Sequence, residues 1–407
     1  MINNGSQKRL VFLDNLRYSI VLLVVVLHVG LGYLNAASWW YVVDPNSSGF
    51  FDILVFTLDS FMMPALFFIA GYFVLPSLQR RTNRAFLEAK LTRLGIPWLL
   101  GVFFLVPVMP YFYHFTRATT PLSFWEFWQG FVKSVGDFQM ILGDSSDFIN
   151  DANLMNHFSH HHLWFISLLL FFFIGFTLLY QVKSQFSAAT IPRDGEKTST
   201  QSIWIALLAT GFVISLSVIV VNYFISAIAW ANIYNVLMFQ PVRFPLYLGL
   251  FGLGIYAYSK NWLTQHDLPG YLVVWLIVSV LLLLALLGVI SNLIEFIKSG
   301  VAIPFWLIAI HGFVRTFLVL TVLVFLLSLT QRYWNRSSKI GQNLAASSYD
   351  IYILHLPIVV ILQYLFISVD IAIFFKFVVI FLLSTLLSYG ISHYLIIPFL
   401  KKCHFKV

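Results

Sequence analysis

Apolar residues run along this chain in stretches close to twenty, separated by short polar breaks, the length and pattern of helices that cross a bilayer. Ten such helices are expected, at about 14–34, 53–76, 94–115, 162–181, 202–224, 243–258, 270–291, 301–329, 345–366 and 370–396. Segment 225–242, just before the sixth, is also fairly apolar and reads as a re-entrant or interfacial piece. Two longer breaks interrupt the series. Segment 116–161 is rich in aromatics (Phe124, Trp125, Phe127, Trp128), with an interfacial helix expected near 122–135, and 182–201 reads as a polar linker. No large polar stretch divides the chain, so the expected fold is one all-α polytopic membrane domain over 1–407.

Lysine and arginine orient it. Arg80, Arg81, Arg84, Lys90 and Arg93 fall on the same side as Lys8, Arg9, Lys183, Arg193, Lys197, Lys260, Arg332, Arg336, Lys339, Lys401, Lys402 and Lys406. The other side has little beyond Arg117, Lys133 and Lys298, so both termini and the linker are expected in the cytoplasm and 116–161 outside. Composition agrees with immersion in lipid: 60% of residues are hydrophobic and 10% charged, against about a quarter charged in soluble domains. The net charge of +8 sits in short clusters between spans, which argues against a nucleic-acid partner. The lone cysteine, Cys403, excludes an internal disulfide framework. Cleavage of a signal peptide near 35–38 would leave an odd number of spans, against the charge pattern.

Chemistry concentrates in polar residues at membrane depth. Arg17 and His28 are eleven residues apart, three turns of helix, so they share one face with about 16 Å between them along the axis. Asp59 on the second span lies at a depth similar to His28; it either meets the imidazole or faces water at the interface. His311 and Arg315 share a face of the eighth span, and Asp350 and His355 lie on the ninth. By depth, His311, Arg315 and His355 are expected to line a shared polar cavity, and ionisable groups so placed mark function. His157, His160, His161 and His162, with Asp147 and Asp151, match metal-ligand spacing poorly, so no metal site is expected.

Several of these residues fall in familiar motifs. Leu13 to Arg17 followed by His28 resembles the opening signature of the membrane-bound acyltransferase 3 family. Phe61 to Tyr72 resembles its second helix, Phe86 to Pro97 its basic turn, His162-Leu163-Trp164-Phe165 the start of its fourth helix, Phe251 to Gly254 its glycine motif, and Ser348 to Pro357 its penultimate helix. The Met-Pro helix and His-Leu-Trp-Phe bring it nearest the glucan-biosynthesis succinyltransferase branch. Ala70 stands where the family commonly has serine before Gly71.

The resemblance implies an O-acyltransferase of a bacterial inner or plasma membrane, moving an acetyl- or succinyl-class group from cytoplasmic acyl-CoA to a hydroxyl of an envelope glycan. It implies no permanently bound cofactor, and any extracytoplasmic esterase would be a separate partner. Carried onto this chain, it makes His28 the general base and Arg17 a ligand of the CoA arm, with Arg315 offsetting charge on the thioester oxygen, while Asp59 joins the catalytic candidates by its depth beside His28. Lys90, Arg93, His162, Trp164, His311 and His355 become candidates for binding acyl-CoA or substrate. Two other classes compete: a proton-coupled transporter or exporter using the intramembrane histidines and arginines, and a catalytically inactive relative acting in assembly.

Overall fold

A computed structural model describes residues 10–35, 39–136, 140–144, 158–186, 199–265 and 268–402. Most of the described residues are helical. Its helices are α1 (Val11–Gly30), α2 (Gly49–Gln79), α3 (Asn83–Lys90), α4 (Ile96–Phe104), α5 (Val108–Arg117), α6 (Phe124–Ser134), α7 (Trp164–Phe186), α8 (Thr200–Phe224), α9 (Phe244–Ser259), α10 (Trp262–Gln265), α11 (Leu272–Ser299), α12 (Phe305–Tyr333), α13 (Lys339–Phe366), α14 (Ile373–Ile391) and α15 (Ile397–Lys402).

Among the described residues nine helical stretches are long and apolar enough to cross a membrane, which makes this a polytopic membrane protein. The tenth expected span is α9, a helix of 16 residues that continues directly from a 3-10 turn at Pro241–Arg243 and so lies at the short end of the lengths that cross a bilayer. The third is not one rod. Asn83–Arg117 is assembled from α3, a π-helical turn at Leu91–Gly95, α4 and α5. Pro97 and Pro110, each near the start of its helix, lack the N–H that an unbroken ladder needs. The expected interfacial piece at 225–242 instead supplies β2 (Ala229–Ile233) and β3 (Leu237–Phe239), which with β1 (Met140–Asp144) form an antiparallel sheet in the order β1-β2-β3. The expected helix near 122–135 is α6, opened by a capping box in which Ser123 and Glu126 bond reciprocally. Those bonds from Ser123 hold the Glu126 carboxyl below its ordinary range.

α1 lies at the centre, packed on α2, α12, α13 and α14. α2 and α9 cross at close range because of two glycines. A Cβ on Gly71 would stand 2.0 Å from the Phe251 carbonyl oxygen, and one on Gly254 would stand 2.2 Å from that of Phe68. Without side chains there, backbone meets backbone, the packing small residues allow inside membranes.

Candidate active site

His28 sits two residues before the end of α1, and its orientation is fixed by its own backbone. The Nδ1–H donates to the Val24 carbonyl one turn earlier, at 2.8 Å. On α13, the Nδ1–H of His355 donates to the Ile351 carbonyl at 3.1 Å, which leaves its Nε2 as an acceptor. That Nε2 lies 3.1 Å from His28 Nδ1. The proton between the two rings therefore belongs to His28, and the His28 lone pair is on Nε2. Trp40 from the loop after α1 stacks on the His28 ring, with centroids 6.0 Å apart. Its indole N–H donates to Gln363, whose amide in turn donates to the Val29 carbonyl.

His162 closes the group from a third element, its ring centroid 5.4 Å from that of His355. A proline places it there. Pro357 inside α13 has no N–H for the carbonyl of Ile353, and His162 Nε2–H donates to that freed oxygen at 3.0 Å. The Tyr352 hydroxyl donates to the His162 carbonyl. The preceding histidines bond elsewhere: His160 Nε2–H donates to the Asn235 carbonyl, and His161 bonds the Tyr41 hydroxyl. His157, Asp147 and Asp151 lie outside the described residues, among which no three His, Cys, Asp or Glu side chains converge on a point suited to a metal.

Arg17, three turns before His28, borders a cavity of about 220 Å³. Its guanidinium donates to the Ala345 carbonyl at 3.1 Å and lies 3.3 Å from Asp14. Lys90 and Arg93 line the same cavity. The Lys90 ammonium stands over the Phe173 ring at 4.3 Å. Arg93 lies on the π-helical turn, a widened turn often found at functional sites, and Tyr349 donates to the Leu94 carbonyl beside it. Tyr352, Phe165 and Val21 are among the other lining residues, and Tyr352 also stands beside His355 and His162, ring to ring. A cavity of about 340 Å³ between α8, α11 and α12 has no histidine or charged group in its lining.

The other predicted residues fall differently. Asp59 does not bond His28; both its oxygens are taken by Arg243, at 2.8 and 2.6 Å, in a fork-to-fork pair. His311 and Arg315 interact with that pair, and Asp59 also acts on His28 through space, so the polar residues form two neighbouring groups: the ring contacts of His28, His355 and His162, and the ion pair with Arg315 and His311. Trp164 packs between Tyr247 and Trp230 and is absent from the cavity lining. Arg243 was the main residue missed. Its signal was its place in the sequence, an arginine opening an apolar helix on a side otherwise poor in basic residues. Trp40 and Gln363 carried no such signal.

No curated protein and no solved structure matches the chain. The family model described as "Acyltransferase domain" matches residues 10–393, nearly the whole length, with both clusters and the basic cavity inside the match. The chain belongs to that family and is a membrane acyltransferase.

Proposed function

We propose that the protein transfers a short acyl group, of the acetyl or succinyl class, from cytoplasmic acyl-CoA to a hydroxyl of an envelope glycan, in a bacterial inner or plasma membrane. The observation that carries this reading is the cavity ringed by Arg17, Lys90 and Arg93, three turns of α1 from a histidine whose lone pair is presented on Nε2. The lysine and arginine pattern leads us to take both termini as cytoplasmic, which puts the Arg17 end of α1 on the donor's side, and the guanidinium and ammonium groups of the cavity suit the phosphates of CoA. His28 lies toward the outer side, where a glycan would arrive. Lys90 and Arg93 have a topological duty as well, but their place in one cavity with Arg17 favours a ligand.

The reaction balances with His28 as the base. Nε2 takes the proton from the acceptor hydroxyl as its oxygen bonds to the thioester carbonyl carbon. The C–S bond then breaks, and the CoA thiolate receives the proton, leaving an ester and free CoA thiol. The Val24 carbonyl and His355 Nε2 share the Nδ1–H of His28 and hold it in the tautomer this requires, a task a carboxylate often performs. Asp59 is committed to Arg243 and acts on His28 only through space.

The test uses the purified protein in lipid nanodiscs with acyl-CoA labelled in the acyl group and a cell-envelope glycan fraction. Label appearing in the glycan, lost in His28→Ala and Arg17→Ala proteins that remain folded, supports the reading. Full transfer by the His28 variant rejects the base assignment. Coupled movement of solute without a covalent product favours transport instead.

A further inference from the structure

The cluster formed by α2, α9 and α12 is unbalanced in charge. Arg243 occupies both oxygens of Asp59, so that pair is neutral. Arg315 comes to the same place from α12, and among the described residues Asp59 is the only carboxylate that acts on it appreciably. Its Nε is buried without a hydrogen bond. His311 lies one turn earlier on the same face, 4% exposed, and its Nδ1 is also buried without a partner. Arg315 is ten residues into a helix of 29, well inside the apolar layer. A guanidinium does not shed its proton there, and without a counter-charge it is costly.

We propose that Arg315, His311 and the Arg243–Asp59 pair form a binding site for a singly charged carboxylate. One excess positive charge calls for one negative charge, which a monoanion supplies and a phosphate dianion overshoots. The guanidinium edge of Arg315 matches the two oxygens of a carboxylate, and His311 offers a second polar contact from the same helix face. The Arg243–Asp59 fork keeps Asp59 from neutralising Arg315, so the attraction for an outside anion persists. The carboxylate could be carried by the acyl group, by an acidic acceptor, or by a free ion. The site itself goes beyond the acyl-transfer reading and is tested without it.

The first measurement is the melting temperature of the full-length protein in nanodiscs at fixed ionic strength, with sodium formate replacing a bulky sulfonate. The wild type should melt at a temperature that rises with formate, while Arg315→Gln should show no formate dependence and Arg315→Lys a partial one. An identical formate response in Arg315→Gln overturns the proposal, as does equal stabilisation by chloride, which would make the site a halide site. A second measurement identifies the source: transfer rates with two acyl-CoA donors of equal chain length, one ending in a carboxylate and one in a methyl group. If the acyl group carries the anion, the preference for the charged donor falls by about tenfold or more in Arg315→Gln. An unchanged preference beside a lost formate response assigns the anion to the acceptor or to a free ion, and still supports the site. Absence of transfer with every donor would reject the acyl-transfer reading while leaving the formate result to decide this one.

Discussion

His355 Nε2 accepts from His28 Nδ1–H across 3.1 Å, and the direction of that bond is set by the Ile351 carbonyl on the far side of the His355 ring. The role of His355 is thus to accept, which gives a discriminating pair of substitutions. His355→Gln places an amide oxygen near the position of Nε2 and should retain much of the transfer activity. His355→Leu removes one of the two acceptors of His28 Nδ1–H, so the imidazolium formed during transfer is less stabilised and kcat should fall by about tenfold to a hundredfold. Nitrogen-15 NMR of labelled histidine checks the mechanism: the Val24 carbonyl should keep the His28 proton on Nδ1 in both variants, while the Nδ1 signal should report a weakened hydrogen bond only in the leucine variant. Equal loss in both would reduce His355 to a packing residue.

The basic cavity predicts a different kinetic signature. Arg93→Gln and Lys90→Gln remove charge from the cavity wall but leave His28 and its partners in place. Each should raise the KM for acyl-CoA by about tenfold, as for one charge-assisted contact, with a smaller effect on kcat. The KM of the wild type should also rise with salt more steeply than that of either variant. Steady-state rates at several salt concentrations decide it. A fall in kcat alone would move these residues away from donor binding.

Asp59 and Arg243 should behave as one unit. Asp59→Asn and Arg243→Gln each break the fork and leave a partner unmatched, whereas the double substitution removes both charges. The side chain of Asp59 is 36% exposed, so solvent weakens the pair, and a coupling energy of about 1–3 kcal/mol is expected. Melting of the four proteins in detergent measures it. Additive losses would show that the two do not depend on each other.

Gly71 is the point where α2 and α9 touch. Gly71→Val drives a branched side chain into the Phe251 backbone, which has no rotamer to yield. Little folded protein should reach the membrane, by quantitative immunoblot and size-exclusion profile. Gly252→Ala, two residues from Gly254 with nothing within 4 Å of the added Cβ, should be tolerated.

How much of this was legible in the sequence depends on what each signal measures. Hydrophobic length located the crossings because lipid thickness imposes it, yet α9 reads like a span while being 16 residues long. Helical periodicity put Arg17 and His28 on one face, and the structure keeps both on α1. Pairing across helices was beyond its reach. Depth alone allowed Asp59 to meet His28, but Arg243, brought in by the close Gly71–Gly254 crossing, takes both carboxylate oxygens first. His355 likewise appeared at the depth of His311 and instead faces His28. The small sheet was hidden because β1 lies far in sequence from the short β2–β3 hairpin that it joins, pairing β2 across Met140 and Ile233. Segment 187–198 of the expected linker and Cys403 lie outside the described residues.

The loop that carries Trp40 is anchored by a buried ion pair, and that anchor yields a last prediction. Lys376 Nζ lies 2.7 Å from Asp44, with side chains only 3% and 7% exposed. Lys376 also donates to the Ile367 carbonyl at 3.5 Å, and the Asp44 N–H donates to the Gly32 carbonyl, so the pair links α14 to the segment leaving α1. Removing one ion strands the other in a dry site, and Lys376→Met should cost about 3–5 kcal/mol. Asp44→Asn combined with Lys376→Met leaves no stranded charge and should recover much of that loss. The effect should extend to chemistry, because the loop places Trp40 over His28. Transfer activity in the single variant should therefore fall further than its folded fraction accounts for, and recover with stability in the double variant. Activity that follows the folded fraction in both would confine the pair to stability and detach the loop from the site.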